Sequence, residues 1–234
     1  MDFLSSEIAS KLMMMQLGDS FFPSGSFTLS HGLEFLVREN DGFGDRELKI
    51  FLQLLLRNKL ATCDLVASTH AYRGSQNNDL NLVRQADERL FIQTPTAITR
   101  TTQIQSGRAL LMVAQSTWQD ERLTILAGDF AAHKFHCLQP IVFGVVGNIA
   151  GLTETDTILA FLHGFVTGLL GAAIRLNAIG HLAAQQILLQ LAPDIEMAVA
   201  TRANLALDEM YSATPAIDLA QMRHSKLNSK LFAN

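Results

Sequence analysis

The chain has 234 residues, of which 48% are hydrophobic and 17% are charged. A chain of this length and composition can bury a substantial core, which excludes global disorder. Its formal net charge of −4 differs from the basic balance typical of nucleic-acid-binding proteins, so we expect no nucleic-acid partner. The segment from Leu219 to Asn234 carries three basic residues and no acidic one, which leaves 15 basic and 22 acidic residues elsewhere. We therefore expect this basic tail to meet a different surface from the acidic body.

The two cysteines, Cys63 and Cys137, lie far apart and form no Cys-x-x-Cys pair. This spacing predicts neither a disulfide framework nor a zinc ribbon. The apolar run Met13–Met15 is too short for the core of a signal peptide, and acidic residues precede it. We expect a protein of the reducing cytoplasm.

Two stretches could be mistaken for membrane spans. Residues 135–153 and 157–174 carry no formal charge, and each approaches the length of about 20 residues that a span requires. The first contains His136, Pro140 and Asn148, however, and neither is flanked by aromatic belts or basic clusters. We interpret both as buried helices of a water-soluble bundle, without a membrane partner.

Apolar residues recur at intervals of three and four along most of the chain, as in the stripe of Ile104, Leu111, Ala114 and Trp118. Alternating strand patterns and hairpin signals are scarce. The sequence predicts an all-α fold, a single compact bundle domain of about ten helices spanning residues 1–234. The predicted helices lie near residues 6–17, 30–39, 46–61, 64–73, 79–92, 96–118, 121–150, 154–178, 180–191 and 194–211.

Local signals predict several helix ends. Asp45 is suited to cap the third helix, and Thr153-Glu154-Thr155-Asp156 matches a capping box. Pro193 would occupy the first turn of the last predicted helix, where proline is best tolerated.

The connector between the first two helices is unusually apolar. After Leu17 it contains Phe21, Phe22 and Phe27 around the turn Pro23-Ser24-Gly25, so we expect it to pack against another surface. Asp19, Ser20 and His31 could suggest a hydrolytic triad, but no Gly-x-Ser-x-Gly elbow is present. We expect Asp19 and Ser20 instead to cap or close the connector through nearby backbone amides.

His133 and His136 are the strongest metal candidates, because two histidines three apart on a helix share a face. No third ligand of matching quality is evident apart from Cys137, so satisfied or solvated histidines remain the alternative. The sequence contains neither Gly-x-x-x-x-Gly-Lys-Ser/Thr nor Gly-x-Gly-x-x-Gly. We expect no nucleotide bound through these motifs, no cofactor and no GTPase activity.

One predicted helix carries a stripe of small residues, Gly164, Gly168 and Gly171. Small side chains allow a second backbone to come close, either inside the bundle or across a two-fold dimer interface. Arg175 follows this apolar run, and a guanidinium there needs a partner. We expect Arg175 to have a structural role.

The C-terminal segment mixes apolar residues with basic ones. Residues 216–234 could dock on the chain itself, or act as an arm that docks on another protein. In the second case the arm would bury Leu231 and Phe232 and present Arg223, His224, Lys226 and Lys230.

Five stretches of the chain, taken together and in order, resemble the UreF family of urease accessory proteins. The first is Leu17–Glu34, with its Asp-Ser, Pro-x-Gly, Phe and Gly-Leu-Glu elements. The others are residues 100–111 with Gly107-Arg108-Ala109-Leu110, residues 136–151 with Val-Phe-Gly, residues 173–186 with Ala-x-Arg-Leu, and the closing signature Met222-Arg223-His224, Leu227, Ser229, Leu231 and Phe232.

The resemblance implies a non-enzymatic chaperone or scaffold that is homodimeric in its complex. Members of that family bind a second accessory protein, UreD (also called UreH), and the GTPase UreG, and the assembly inserts nickel into apo-urease. For this chain we expect the connector and the tail to meet UreD, and a separate helical surface to meet UreG. The expected partner-binding residues are Asp19, Ser20, Pro23, Gly25, Phe27, Glu34, Arg223, His224, Lys226, Lys230, Leu231 and Phe232.

The chain departs from the family pattern at three positions. Leu29 stands where members often have a histidine, so a role of that histidine does not pass to His31. Ser225 and Asn228 stand where an acid and an aromatic residue are common. A metallochaperone with a nickel site at His133 and His136 is the alternative function.

Overall fold

The computed structural model of the chain describes residues 7–19, 22 and 28–233, and these residues form helices and loops without a β-strand. The prediction of an all-α fold is confirmed. The α-helices are α1 (Glu7–Gly18), α2 (Leu33–Glu39), α3 (Asp45–Leu55), α4 (Leu65–Gln76), α5 (Leu80–Gln93), α6 (Ala97–Trp118), α7 (Glu121–Ala131), α8 (Gln139–Ile149), α9 (Glu154–Arg175), α10 (His181–Gln190), α11 (Ala192–Arg202) and α12 (Pro215–His224).

Helix α8 forms the centre of the bundle. Eight consecutive residues, Pro140 to Gly147, are buried on all sides of this helix. It packs mainly on α4 and α6 and, to a lesser extent, on α9. A helix that is apolar around its whole circumference must be enclosed by other elements, so α8 organises the layers around it.

Close packing at α8 depends on a glycine in α6. A Cβ atom on Gly107 would overlap the backbone carbonyl of Cys137, just before α8 begins. Gly107 belongs to the Gly-Arg-Ala-Leu stretch noted in the sequence. The close contact explains why this stretch has a glycine here, since a larger residue would not fit. Backbone atoms of the two segments touch here without an intervening side chain.

The predicted helix over residues 121–150 is wrong, because two helices occupy this region. The chain leaves α7 at Ala131 and starts α8 at Gln139, and Pro140 lies in the first turn of α8. Proline within a helix removes a backbone hydrogen bond and clashes with the preceding turn, but it is tolerated at the start. The buried carboxylate of Asp87 accepts hydrogen bonds from the amides of His136 and Leu138, which stabilises the break.

The two helices predicted over residues 46–61 and 64–73 form one continuous rod. A nine-residue π-helix, Leu56–Asp64, joins α3 to α4. In a π-helix, side chains five residues apart lie next to each other. The Lys59 Nζ atom lies 3.0 Å from Asp64 Oδ2, and both side chains are buried. Burial opposes the charge of Lys59, but the acidic groups around it, above all the Asp64 carboxylate, together raise the pKa of Lys59.

Of the other predicted helix ends, some agree with the structure and some do not. The Thr153 hydroxyl accepts a hydrogen bond from the Asp156 amide at the start of α9, and Pro193 lies in the first turn of α11. Asp45 is the first residue of α3 rather than its cap, and Glu47 accepts a hydrogen bond from the Gly44 amide there. The predicted helix over residues 194–211 ends at Arg202, and α12 was not predicted.

Helix α9 is long and apolar enough to cross a membrane by length and composition alone. It contacts α1, α2, α4, α8, α10 and α11. In its most apolar window 56% of the residues are buried by this packing, as in a core helix.

The contact at Gly107 generates a stability prediction. We expect Gly107→Ala to lower the free energy of unfolding, since its new methyl group must displace the backbone before α8. The control is Gly128→Ala on α7, where a Cβ would have no atom within 4 Å. Alanine favours a helix over glycine by about 1 kcal/mol, so this control should be neutral or stabilising. Urea denaturation of both variants measures the difference, and equal stability of the two would contradict the steric role.

Candidate partner-binding surface

The inner face of α12 combines buried apolar residues, Ile217 and Ala220, with buried polar ones. Gln221 and His224 are fully buried. The Thr99 hydroxyl of α6 donates a hydrogen bond to Gln221 Oε1, and Gln221 Nε2 donates to the His31 carbonyl at 3.4 Å. Buried polar groups are costly unless they are paired, so these bonds define how α12 sits on the bundle.

Gly32 allows α12 to approach the start of α2. Its φ of 84° lies in the left-handed region that favours glycine. A Cβ on Gly32 would also lie only 3.0 Å from the Gln221 amide nitrogen. Gly32 is the glycine of the Gly-Leu-Glu element. Both its backbone conformation and the close approach of α12 explain why glycine occupies this position.

Glu34, the glutamate of the same element, is fully buried and receives four hydrogen-bond donors. His224 Nε2 lies 2.8 Å from Glu34 Oε2, and the Arg38 guanidinium donates to Oε1 at 2.6 Å. The amides of Leu231 and Phe232 donate to Oε1 and Oε2 at 2.9 and 3.1 Å. Burial opposes ionisation, but these donors outweigh it and lower the pKa of Glu34 below its usual 4.5.

Arg175 completes the attachment of the tail. Its guanidinium lies 4.5 Å from the centre of the Phe232 ring, and its Nε atom donates to the Gly171 carbonyl. The Ala233 amide donates to the Thr28 carbonyl at 2.8 Å. Arg175 is thus placed in a structural contact with a ring of the C-terminal tail. We call Glu34, Arg38, Arg175 and His224 the tail clamp.

The outer face of α12 and the tail combines apolar and basic side chains. Leu231 is 57% exposed, whereas the adjacent Phe232 is only 4% exposed. Lys230 Nζ donates to the Ser225 carbonyl, which closes a loop ahead of Leu231. We call the exposed set the tail surface, and it consists of Leu219, Met222, Arg223, Lys226, Lys230 and Leu231.

The expected partner-binding residues therefore fall into three groups. Glu34, His224 and Phe232 are buried in contacts within the chain, and these contacts hold the tail against the bundle. The exposed group contains Asp19 and the predicted residues of the tail surface, Arg223, Lys226, Lys230 and Leu231. Ser20, Pro23, Gly25 and Phe27 lie outside the described residues, as does Phe21.

The described part of the connector adjoins a small cavity that has a few polar groups in a mainly apolar lining. Asp19, His31, Asp64 and Gln103 line it together with apolar side chains of α8 and α9. Burial, and to a lesser extent the charge of Lys59, lowers the pKa of His31 to about 3, so its imidazole is neutral at physiological pH. Phe22 is buried, as expected for the apolar connector.

The glycine stripe of α9 has two different environments. A Cβ on Gly164 would lie 3.6 Å from the Gly18 carbonyl, so α1 covers this position. A Cβ on Gly168 or Gly171 would meet no atom within 4 Å. These two glycines line a groove with Met14, Met15, Leu159, His163, Thr167 and Ile195. The neighbouring helix α1 exposes Ile8, Leu12 and Met15.

His133 and His136 do not share a helix face, because they lie in the connection between α7 and α8. The His136 ring stacks on Phe91 and its Nε2 atom lies 2.8 Å from Glu88 Oε2. Within the described part of the chain, no group of three or more His, Cys, Asp or Glu side chains could hold a metal ion. Cys137 is buried, which raises the pKa of its thiol to about 12.

Sequence reasoning missed Arg38, Lys59 and Gln221. Lys59 and Asp64 are five residues apart, a spacing that links side chains only in a π-helix. Arg38 is four residues after Glu34, and that i,i+4 spacing could have indicated the pair. Gln221 sits three residues before His224, so their shared face was readable once α12 was recognised.

Comparison with known proteins agrees with these motifs. The UreF family model matches residues 44–192, from α3 into α11. The chain is 56% identical over 231 residues to a urease accessory protein UreF of Trichodesmium erythraeum, covering 99% of this chain and all of that protein. It is 30% identical over 232 residues to one of Bradyrhizobium diazoefficiens, covering 99% and 94% of the two chains. A Bacillus relative with the same description is 28% identical, with coverages of 94% and 97%.

The chain belongs to the UreF family of urease accessory proteins. Membership gives it a role in urease maturation. Three residues of the tail clamp, Glu34, Arg38 and His224, lie on either side of residues 44–192. The contacts between α2 and the tail are therefore outside the part matched by the family model, whereas Arg175 is inside it. The alignment with the Trichodesmium relative extends over nearly the whole chain.

The geometry of the two histidines predicts their behaviour toward nickel. We expect the double variant His133→Ala/His136→Ala to bind as much nickel as the wild type in equilibrium dialysis. The two histidines are not aligned on a helix, and no third ligand joins them among residues 7–19, 22 and 28–233. His181→Ala is the matched control, as His181 is also exposed. Stoichiometric nickel binding that only the double variant abolishes would establish the metallochaperone alternative instead.

Proposed function

We propose that this protein is a non-enzymatic scaffold of urease maturation, and that its tail surface binds UreD. The supporting observation is the arrangement of α12, which buries Ile217, Ala220, Gln221 and His224 but leaves the apolar side chains of Leu219 and Met222 exposed. A helix that only served the fold would turn its apolar side chains inward. Exposed apolar residues beside basic ones suit a partner with an apolar patch and an acidic rim.

The basic residues determine what kind of partner fits. Arg223, Lys226 and Lys230 lie in a segment without acidic residues, while the body of the chain is acidic. Charge complementarity favours the choice of partner and the rate of encounter, whereas the buried apolar contacts supply most of the affinity. The connector around Asp19 and Phe27 would extend this contact with UreD.

We further propose that two copies of the chain associate through α1 and α9. The exposed side chains of Ile8, Leu12 and Met15 lie on one face of α1, at helical spacing. Beside them, Gly168 and Gly171 leave room for a second backbone to approach. An apolar groove and an apolar ridge on one chain are the elements that a self-complementary interface needs.

The remaining steps of the proposal follow family membership. The dimer bound to UreD would receive the GTPase UreG on a separate helical surface, and the assembly would deliver nickel to apo-urease. We propose that the protein is cytoplasmic and that it binds neither a membrane nor nucleic acid nor a cofactor. Its contribution would be to hold partners in place, as a chaperone, rather than to perform a reaction.

The UreD proposal predicts the effect of changes confined to the tail surface. We expect Met222→Ser/Leu231→Ser to weaken UreD binding at least tenfold, which corresponds to about 1.4 kcal/mol. Both side chains are exposed in the isolated chain, so the fold should be unaffected. Isothermal titration or quantitative co-purification with UreD measures the change.

The matched control is Leu182→Ser/Leu189→Ser on α10, since these leucines are also exposed. This pair makes the same kind of chemical change away from the tail. Unchanged affinity of the tail variant, or an equal loss in both variants, would contradict UreD binding at the tail surface.

The dimer proposal predicts the effect of filling the groove on α9. We expect Gly171→Gln to reduce the assembly with UreD from two copies of this chain to one, because a long side chain would block the second backbone. Gly128→Gln on α7 is the control, since that glycine also has open space around its Cβ. Sedimentation equilibrium gives the masses, and a two-copy assembly with Gly171→Gln would place the interface elsewhere.

A further inference from the structure

The tail clamp holds two consecutive residues that face opposite ways. Glu34 accepts hydrogen bonds from the amides of Leu231 and Phe232, one on each carboxylate oxygen. Phe232 is buried beneath Arg175, while Leu231 points to the surface. The two bonds are spaced by one residue of chain, so together they define the register of the tail on α2.

We propose that Glu34 is a positioning residue that sets this register and so presents Leu231, rather than Phe232, to the partner. This inference rests on the proposed function of the tail surface and deepens it. The sequence predicts Glu34 to contact the partner directly. The structure assigns it a different place, inside the chain and without exposed surface.

The chemistry of the contact explains why an ionised carboxylate is needed. Each carboxylate oxygen accepts two donors here, and all four donors belong to groups that a carboxylate satisfies and an amide does not. A glutamine at this position would place an NH₂ group against a backbone N–H or a basic side chain. That substitution removes acceptors without changing the size of the side chain.

A slip of the tail by one residue would be costly on both sides of the contact. Phe232 would leave the Arg175 guanidinium, and its ring would become exposed while Leu231 took its place. Stacking of a guanidinium on an aromatic ring is stabilising, because the cation is attracted to the face of the ring. Buried charge-assisted hydrogen bonds are stronger than neutral ones, so the carboxylate and the ring contact favour the same register.

Hydrogen exchange on the isolated protein tests the positioning role directly. In Glu34→Gln we expect the protection factors of the Leu231 and Phe232 amides to fall at least tenfold, while amides of α8 such as Val142 keep theirs. Glu39→Gln is the matched control, because Glu39 lies exposed near the end of the same helix. Unchanged protection of both tail amides in Glu34→Gln would overturn the inference.

A second measurement needs no variant. The amide proton shifts of Leu231 and Phe232 in the wild type should titrate together with Glu34. The groups facing this carboxylate are His224, Arg38 and the two amides, which favour its ionised form. Ionised Glu34 therefore stabilises the tail above pH 4.5, and this stabilisation is lost as the pH falls through its lower folded pKa. Tail shifts that do not follow Glu34 would also overturn the inference.

UreD affinity separates this inference from the proposed function. We expect Glu34→Gln, but not Glu39→Gln, to bind UreD more weakly, in proportion to the fraction of molecules whose tail has left its wild-type position. A tail that stays protected refutes the positioning role whatever UreD does. A tail that loses all protection while UreD affinity stays unchanged supports the role of Glu34 in the register, but refutes the tail surface as the UreD site.

Discussion

The constraint on which the rest of this structure depends is the enclosure of α8 at backbone distance. No side chain separates Gly107 of α6 from the carbonyl of Cys137, so the helices around α8 have little freedom to shift. Close-packed interiors transmit strain rather than absorbing it. The positions of α4, α6 and α9 therefore follow from α8, and α6 and α9 carry Thr99 and Arg175, which contact α12 and the tail.

The C-terminal tail is attached by a different kind of interaction. The core depends on apolar burial, which is non-directional, whereas the tail depends on hydrogen bonds to Glu34 and on one ring beneath Arg175. Directional bonds specify a conformation without using up apolar surface. This leaves Leu219, Met222 and Leu231 available on the outside, which is the property that a docking element requires.

Helical periodicity was sufficient to predict the fold class and most helices, because the apolar stripes are long and strand patterns are scarce. It failed between α7 and α8, where apolar residues continue through a non-helical connection. Pro140 was a readable signal there, but the carboxylate of Asp87 that stabilises the break comes from a distant part of the chain. The π-helix was also hidden, since its pairing of Lys59 with Asp64 follows neither helical nor strand spacing.

The candidate site was predictable as a set of residues but not as an arrangement. Motif resemblance selected Glu34, His224, Leu231 and Phe232, yet composition alone cannot tell which of them face inward. Three of the four are buried, and the buried carboxylate of Glu34 is satisfied by four donors of the chain itself. The buried residues of the tail clamp could be told from the exposed residues of the tail surface only by the hydrogen bonds. These bonds join residues almost 200 positions apart in the sequence.

The position of α12 follows from the rod formed by α3, the π-helix and α4. Before α12 begins, the Tyr211 and Ala213 amides donate to the carbonyls of Thr62 and Asn58 in the π-helix. The Thr62 hydroxyl donates to the Tyr211 carbonyl in return. The π-helix thus supplies carbonyl acceptors that bind the chain just before α12, and Glu34 binds the chain again just after α12. Because contacts within the chain hold both ends of α12, a partner that binds its outer face would not need to order this helix first.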